Sequence, residues 1–190
     1  MSGDQGREER TLEIAERVSQ VLEEHGAPCA LIGAMALAAH GYPRMTEDVD
    51  LATATDPFGV LRKVADALRS EGFSVELSEP DAQDPLGGVL TVESKGADPV
   101  QVVNFLNPLS TGPSLGADAV ASATAVQDSG LKVVDLAHLV ALKLYAGGPK
   151  SIADVSELLE RNRDADIDSI RSVCRAHGLE DELTSILDKL

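Results

Sequence analysis

Two carboxylates one residue apart, Asp48 and Asp50, sit within the stretch Thr46-Glu47-Asp48-Val49-Asp50-Leu51. Their neighbours are strand-like. In a strand, alternate side chains point the same way, roughly 6.6 Å apart. Asp48 and Asp50 are therefore expected on one face, with Val49 and Leu51 on the other. Two convergent carboxylates on a rigid strand suit a hard divalent cation, and Mg²⁺ typically takes one or two carboxylates plus substrate phosphate oxygens. Upstream, the apolar Leu31-Ile32 ends on a small pair, Gly33-Ala34, ahead of a helix-compatible run. Such a pair lets phosphate approach the backbone beside the positive end of a helix. Together these features point to a metal–nucleotide site.

A second group of residues offers positive charge. Arg44 follows Pro43 just before the Asp strand, and Lys143 lies in the otherwise apolar run Leu139-Val-Ala-Leu-Lys-Leu-Tyr. A charge in such a helix is rarely buried without a partner. Lys150 and Asp154 flank the next helix start, where an acid in the first turn would stabilise the helix dipole. Thr46 either orients a carboxylate or simply starts the strand. His40 reads as a packed helix-end residue, and His25, His138 and His177 have no special context.

The segment 30–53 resembles the signature of the nucleotidyltransferase superfamily related to DNA polymerase beta. That signature is an apolar strand, a Gly-Gly or Gly-Ser pair, a spacer, and Asp-x-Asp or Asp-x-Glu. The text from His40 to Asp50 is similar to a bacterial subgroup that includes the abortive-infection and toxin–antitoxin-type nucleotidyltransferases. The stretch 135–143, with Gly148-Pro-Lys150 and Asp154, resembles the helical region of that subgroup, so the likeness spans roughly 27–159.

This resemblance implies an enzyme that binds Mg²⁺ (or Mn²⁺) and a nucleoside triphosphate, and transfers the nucleoside monophosphate to an acceptor. The acceptor is left open among a protein, a transfer RNA and a small molecule. Asp48 and Asp50 would hold the metal and be catalytic. Gly33 and Ala34 would cradle phosphate through the backbone, Arg44 and Lys143 would offset triphosphate charge, and Thr46 would complete the nucleotide site.

Two departures stand out. Ala34 replaces a residue that could bring a hydroxyl. The family's third carboxylate, on a later strand, falls on 100–106, where the position reads as neutral Gln101 or Asn104 depending on register. A one-residue slip exchanges the two faces of a strand, so the sequence leaves both open. Glu93 and Asp98 are possible substitutes. The departures motivate an alternative, a catalytically degenerate module of the same fold in a toxin–antitoxin or phage-defence pair, working with a protein partner.

Several elements must position these residues. Helical periodicity covers 11–24, with Thr11 as cap, and residues 1–10 are expected to be disordered. A short buried strand at 28–32, a helix at 35–39 and a strand at 48–52 carry the candidate site. A helix at 57–70 and a strand at 73–77 follow. Strands 88–93 and 100–106, joined by a turn-rich segment, form an antiparallel hairpin. The Pro/Gly/Ser-rich loop 107–116 is the candidate hinge and lid. A helical turn at 117–121 and a short strand at 124–126 follow, and helices are expected at 135–145, 151–161, 167–177 and 180–190. The order predicts an α/β (α+β) fold: a mixed sheet flanked by helices in a core at 11–130, then a C-terminal helical bundle at 131–190.

Composition narrows the classes further. A net charge of −16 over 190 residues argues against broad nonspecific nucleic-acid binding, which needs Lys and Arg on phosphates. With no Trp, two Tyr and three Phe, the core must be aliphatic. Cys29 and Cys174 are too far apart for a metal framework and read as small core residues. The charged N-terminus carries no signal-peptide pattern, and no apolar run approaches the roughly 20 residues of a membrane span. A cytoplasmic location is expected.

Overall fold

The computed structural model describes residues 2–46, 48–110 and 114–190. The centre of the loop read as hinge and lid, 111–113, lies outside them, as does Glu47. Eight α-helices and seven strands are seen among the described residues.

The strands are β1 (Cys29–Leu31), β2 (Val49–Thr53), β3 (Ser74–Ser78), β4 (Val89–Glu93), β5 (Val100–Asn104), β6 (Thr124–Ala125) and β7 (Lys132–Val133). They form one mixed sheet in the order β3-β4-β5-β2-β1-β7-β6. β2 is central, antiparallel to β1 and parallel to β5, so its Val and Leu side chains are buried as the alternation requires. β4 and β5 pair antiparallel as expected. β7 is a strand that periodicity could not reveal. It spans two residues and joins the sheet through the single pairing Leu31↔Val133, too short for alternation to show.

The helices are α1 (Ser2–Glu24), α2 (Gly33–Ala39), α3 (Arg62–Ser70), α4 (Leu115–Ala121), α5 (Leu136–Ala146), α6 (Gly148–Arg161), α7 (Ile167–Ala176) and α8 (Glu180–Leu187). A wide turn, Pro57–Leu61, leads into α3, with the side chain of Asp56 accepting from the backbone N–H of Phe58. α1 packs on α3 and on the centre of the sheet, while α5 packs against α4, α6 and α7. α5 is apolar nearly all round and is correspondingly enclosed.

Most boundaries differ from the sequence expectation by one to a few residues: α2 starts at Gly33, β5 ends at Asn104 and α8 ends at Leu187. Two differences bear on the site and its surroundings. α1 starts at Ser2, so the polar segment expected to be disordered forms its first turns. Thr11 is not a cap: its hydroxyl donates to the carbonyl of Arg7 (2.9 Å) and accepts from the N–H of Asp98 (2.9 Å). Arg7 also pairs with Asp98. A polar helix anchored through one face carries little hydrophobic signal. α6 starts at Gly148, not at 151, with Pro149 at its first turn, where the missing N–H costs nothing.

The core is aliphatic. Leu22, Leu37, Leu51, Leu68, Leu90, Leu139, Leu158 and Ile170 are among its fully enclosed side chains. Cys29 and Cys174 are both free and buried in it. No helix among the described residues is long and apolar enough to cross a membrane.

Candidate active site

Asp50 is the second residue of central strand β2, and Asp48 stands just ahead of it. The sheet ladder continues past β1, with the N–H of Ile32 donating to the carbonyl of Asp50 (3.0 Å). The chain then turns into α2 through Gly33, whose φ is +61°. A Cβ placed on Gly33 would collide with Oδ2 of Asp50. Glycine is thus required twice here, by its left-handed backbone and by the carboxylate lying against it. α2 carries no side-chain cap at its N-terminus.

Thr46 fixes the other carboxylate. Its hydroxyl lies 2.7 Å from Oδ1 of Asp48 and 3.0 Å from that residue's carbonyl, and can donate to either. Burial pushes the Asp50 carboxyl up to about 6, and the neighbouring Asp48 charge adds to this; Lys143 and Arg44 oppose it. Two anions held together in a partly dry site are costly unless a cation joins them.

The opposing wall is cationic. Lys143, on α5, donates from Nζ to Oδ2 of Asp154 at 2.7 Å. Oδ1 of the same carboxylate lies 3.5 Å from Nε of Arg44. The Asp154 side chain is only 4% exposed, against 13% for Lys143 and 24% for Arg44. Nε of Arg44 is buried and makes no hydrogen bond. Asp154 therefore bridges two cations that face the Asp pair. It lies nearly two turns into α6, on the buried face with Val155 and Leu158. The helix-dipole reading of Asp154 as a first-turn residue is thus superseded.

Gly33, Ala34, Arg44, Thr46, Asp48, Asp50 and Lys143, joined by Met45 and Lys150, line one polar cavity of about 490 Å³. All seven residues singled out from the sequence converge there. The donor set fits a hard cation: hard oxygen donors from two adjacent carboxylates, and a half-buried Asp50 whose charged form is disfavoured by desolvation and by Asp48, which a cation would relieve.

Strand register resolves the neutral position. β2 and β5 pair with Asp50 beside Gln101 and Thr53 beside Asn104. Gln101 therefore shares Asp50's face. Asn104 points the other way and is structural: its amide donates to the carbonyls of Thr55 and Gly87, both at 2.9 Å. Among the described residues no group of three or more His, Cys, Asp or Glu is placed so that it could hold a metal ion. Asp98 pairs with Arg7 and lines an adjoining cavity of about 410 Å³ that shares Ala34, Arg44, Met45, Thr46 and Asp48 with the polar one. Glu93 lines a separate depression with Arg7 and Lys95.

A third cavity, about 630 Å³, escaped the sequence. It shares Gly33 and Lys143 with the polar cavity and is otherwise walled by Ile32, Pro85, Leu86, Val103, Phe105, Leu139, Leu142, Tyr145, Ala146 and Ser151. These residues come from four separated stretches of chain, and no local pattern joins them.

The sequence from 18 to 189 matches the family model described as nucleotidyl transferase AbiEii toxin, Type IV TA system. No curated protein matches. Among solved structures, the fold is similar to the antibiotic-resistance factor ANT(2'')-Ia in solution (12% identity, TM-score 0.54, 96% of this chain and 97% of that one). It is similar to crystalline ANT(2'')-Ia in complex with adenylyl-2''-tobramycin (13%, TM-score 0.53, 87% and 95%). It also resembles an antigenic nucleotidyltransferase-like protein from Paracoccidioides brasiliensis (15%, TM-score 0.52, 94% and 92%).

Proposed function

The chain belongs to the AbiEii nucleotidyl transferase toxin family of type IV toxin–antitoxin systems, and we propose that it transfers a nucleoside monophosphate from a nucleoside triphosphate to an acceptor hydroxyl. In that reaction an acceptor oxygen bonds to the α-phosphorus, the α–β phosphoanhydride bond breaks, and pyrophosphate leaves. The observation that carries this reading is the paired carboxylates of Asp48 and Asp50 against the backbone of Gly33, opposite two cations bridged by Asp154.

Each residue has a part. Asp48 and Asp50 would hold a divalent cation, Mg²⁺ or Mn²⁺, which when bound neutralises charge developing on attacking and leaving oxygens. Thr46 orients the Asp48 carboxylate toward it. Gly33 and Ala34 let phosphate reach the backbone. Lys143, Arg44 and Lys150 balance triphosphate charge, and Asp154 keeps the first two fixed so that little reorganisation is needed during reaction.

Calorimetric titration of each nucleoside triphosphate, with and without Mg²⁺, tests the site on the wild-type chain and on D48A/D50A. Metal-dependent binding that disappears in the double variant supports the reading, and wild-type protein that binds no triphosphate refutes it. Acceptors are then screened with α-labelled nucleotide across proteins, transfer RNA and hydroxyl-bearing small molecules.

Gln101 beside Asp50 favours a second reading, a module that keeps the nucleotide pocket but has lost transfer and acts through a protein partner. Tight triphosphate binding with no label transfer to any acceptor, together with a partner that co-purifies, distinguishes it.

A further inference from the structure

We propose that the cavity between the start of α1 and α2 receives the acceptor, and that it is built for a small hydroxyl-bearing amine, not for a polyanion such as RNA. This rests on the reading of the polar cavity as a metal–triphosphate site. Two further spaces adjoin that cavity. The apolar one shares Gly33 and Lys143 with it, and neither carboxylate. The other, about 410 Å³, shares Ala34, Arg44, Met45, Thr46 and Asp48. An attacking oxygen must reach the cation that the carboxylates hold, and of the two spaces the second contains one of them. A hydroxyl seated there bonds to the α-phosphorus, the α–β phosphoanhydride bond breaks, pyrophosphate leaves, and the hydroxyl proton passes to solvent.

The lining selects by charge and by size. Glu8, exposed on α1, and Asp98 add two carboxylates to that of Asp48, against the guanidinium of Arg44, which is already paired with Asp154. Asp98 is fixed twice: its N–H donates to the Thr11 hydroxyl at 2.9 Å, and Arg7 takes one of its carboxylate oxygens, Oδ1. Met35, Ala38, Pro43 and Met45 supply apolar surface for a carbon skeleton. Met45 is 92% exposed, and its unbranched side chain can settle over ligands of different shape. An ammonium group meets Glu8 and Asp98 favourably, whereas phosphodiesters would face like charge on a chain already at −16. The volume is that of a small-molecule pocket. Arg7, Glu8 and Thr11 lie ahead of the segment 18–189 that matches the family model, so this wall is contributed from outside the match.

The test is an NMR titration of 1,3-diamino-2-propanol, glycerol and a uridine trinucleotide into isotope-labelled protein holding Mg²⁺ and inorganic tripolyphosphate. Tripolyphosphate fills the phosphate site and has no nucleotide to transfer. The chains compared are wild type, Glu8→Gln and Ala38→Trp. Both positions are exposed, so neither change threatens folding. The diamine is expected to bind about tenfold more tightly than glycerol, and more tightly than the trinucleotide, with amide shifts centred on the lining of this cavity. Glu8→Gln should weaken the diamine about threefold, and Ala38→Trp, which fills the cavity, should abolish its binding. Both variants should leave tripolyphosphate affinity unchanged. Diamine binding that survives Ala38→Trp overturns the location. Glycerol or the trinucleotide binding as tightly as the diamine overturns the chemical class. If tripolyphosphate binds and the diamine does not, the acceptor assignment falls while the phosphate site stands. If tripolyphosphate itself fails to bind, the triphosphate reading falls and takes this one with it.

Discussion

Lys143 and Asp154 meet at 2.7 Å across the α5–α6 corner, and the same carboxylate reaches Arg44 from its other oxygen. One buried acid thus holds two cations that the sequence separates by about a hundred residues. Asp154→Ala leaves both without a counter-charge. Breaking a buried pair this way costs about 3 kcal/mol, or roughly 6–12 °C in Tm for a chain of this size. Thermal unfolding checks the magnitude. Asp154→Ala should also weaken triphosphate binding, since the two heads lose their fixed positions; a Tm equal to wild type would contradict the bridge.

Gly33→Ala should abolish metal-dependent nucleotide binding while the chain still folds. The left-handed backbone costs a side-chain-bearing residue about 1–2 kcal/mol, and the added methyl displaces the Asp50 carboxylate. Circular dichroism and calorimetry on the same sample separate the two effects. Unimpaired binding would mean that Asp50 need not lie against this turn.

Asp50 makes stability depend on pH in a definite direction. Its folded carboxyl titrates near 6, above the unfolded value of about 3.9, so the folded form binds the proton more tightly. Between those values the native state carries more protons at this site than the unfolded chain, and its contribution to stability therefore falls as pH rises toward 6. Glu71, Glu79, Asp135 and Glu180 are shifted the other way, so the Asp50 contribution is read as the difference between wild type and Asp50→Asn. In chelator, denaturant unfolding should show the variant gaining stability relative to wild type from pH 4 to pH 7 and being the more stable of the two at pH 7. A variant less stable than wild type at pH 7 would refute the assignment.

Register supplies a paired test at β5. Gln101→Glu adds a carboxylate beside Asp50 and should tighten divalent-cation-dependent nucleotide binding by on the order of tenfold. Asn104→Asp should do nothing for binding and destabilise the fold, because a carboxylate cannot donate to the carbonyls of Thr55 and Gly87. Reversed outcomes would mean the register is shifted by one.

The strand–glycine–helix–strand run was legible because local chemistry dictates it: alternation exposes the Asp pair on one face, and the small pair marks a tight turn. The hairpin β4–β5 and the aliphatic core were legible for the same reason. Asp154 was not. A helix boundary misread by three residues moved it into a first turn, and only tertiary packing brings it under Lys143 and Arg44. Register needs a partner strand, so Gln101 and Asn104 could not be told apart. The apolar cavity draws on residues from Ile32 to Ser151 that no window of sequence contains.

The stretch 79–88 carries no regular structure, yet two buried asparagines tie it down. Asn107 donates to the carbonyls of Asp81 and Asp84, at 2.8 and 2.7 Å. Asn104 exchanges backbone bonds with Gly87 and Gly88 and adds one from its side chain. Pro85 and Leu86 therefore form a wall that opens only when the sheet edge opens. In hydrogen exchange the Gly87 N–H, which donates to the carbonyl of Asn104, should protect with β4 and β5 and not fray as a free loop does. A ligand entering beside it meets a surface already in place and loses little affinity to ordering, so its capture is governed by diffusion and charge.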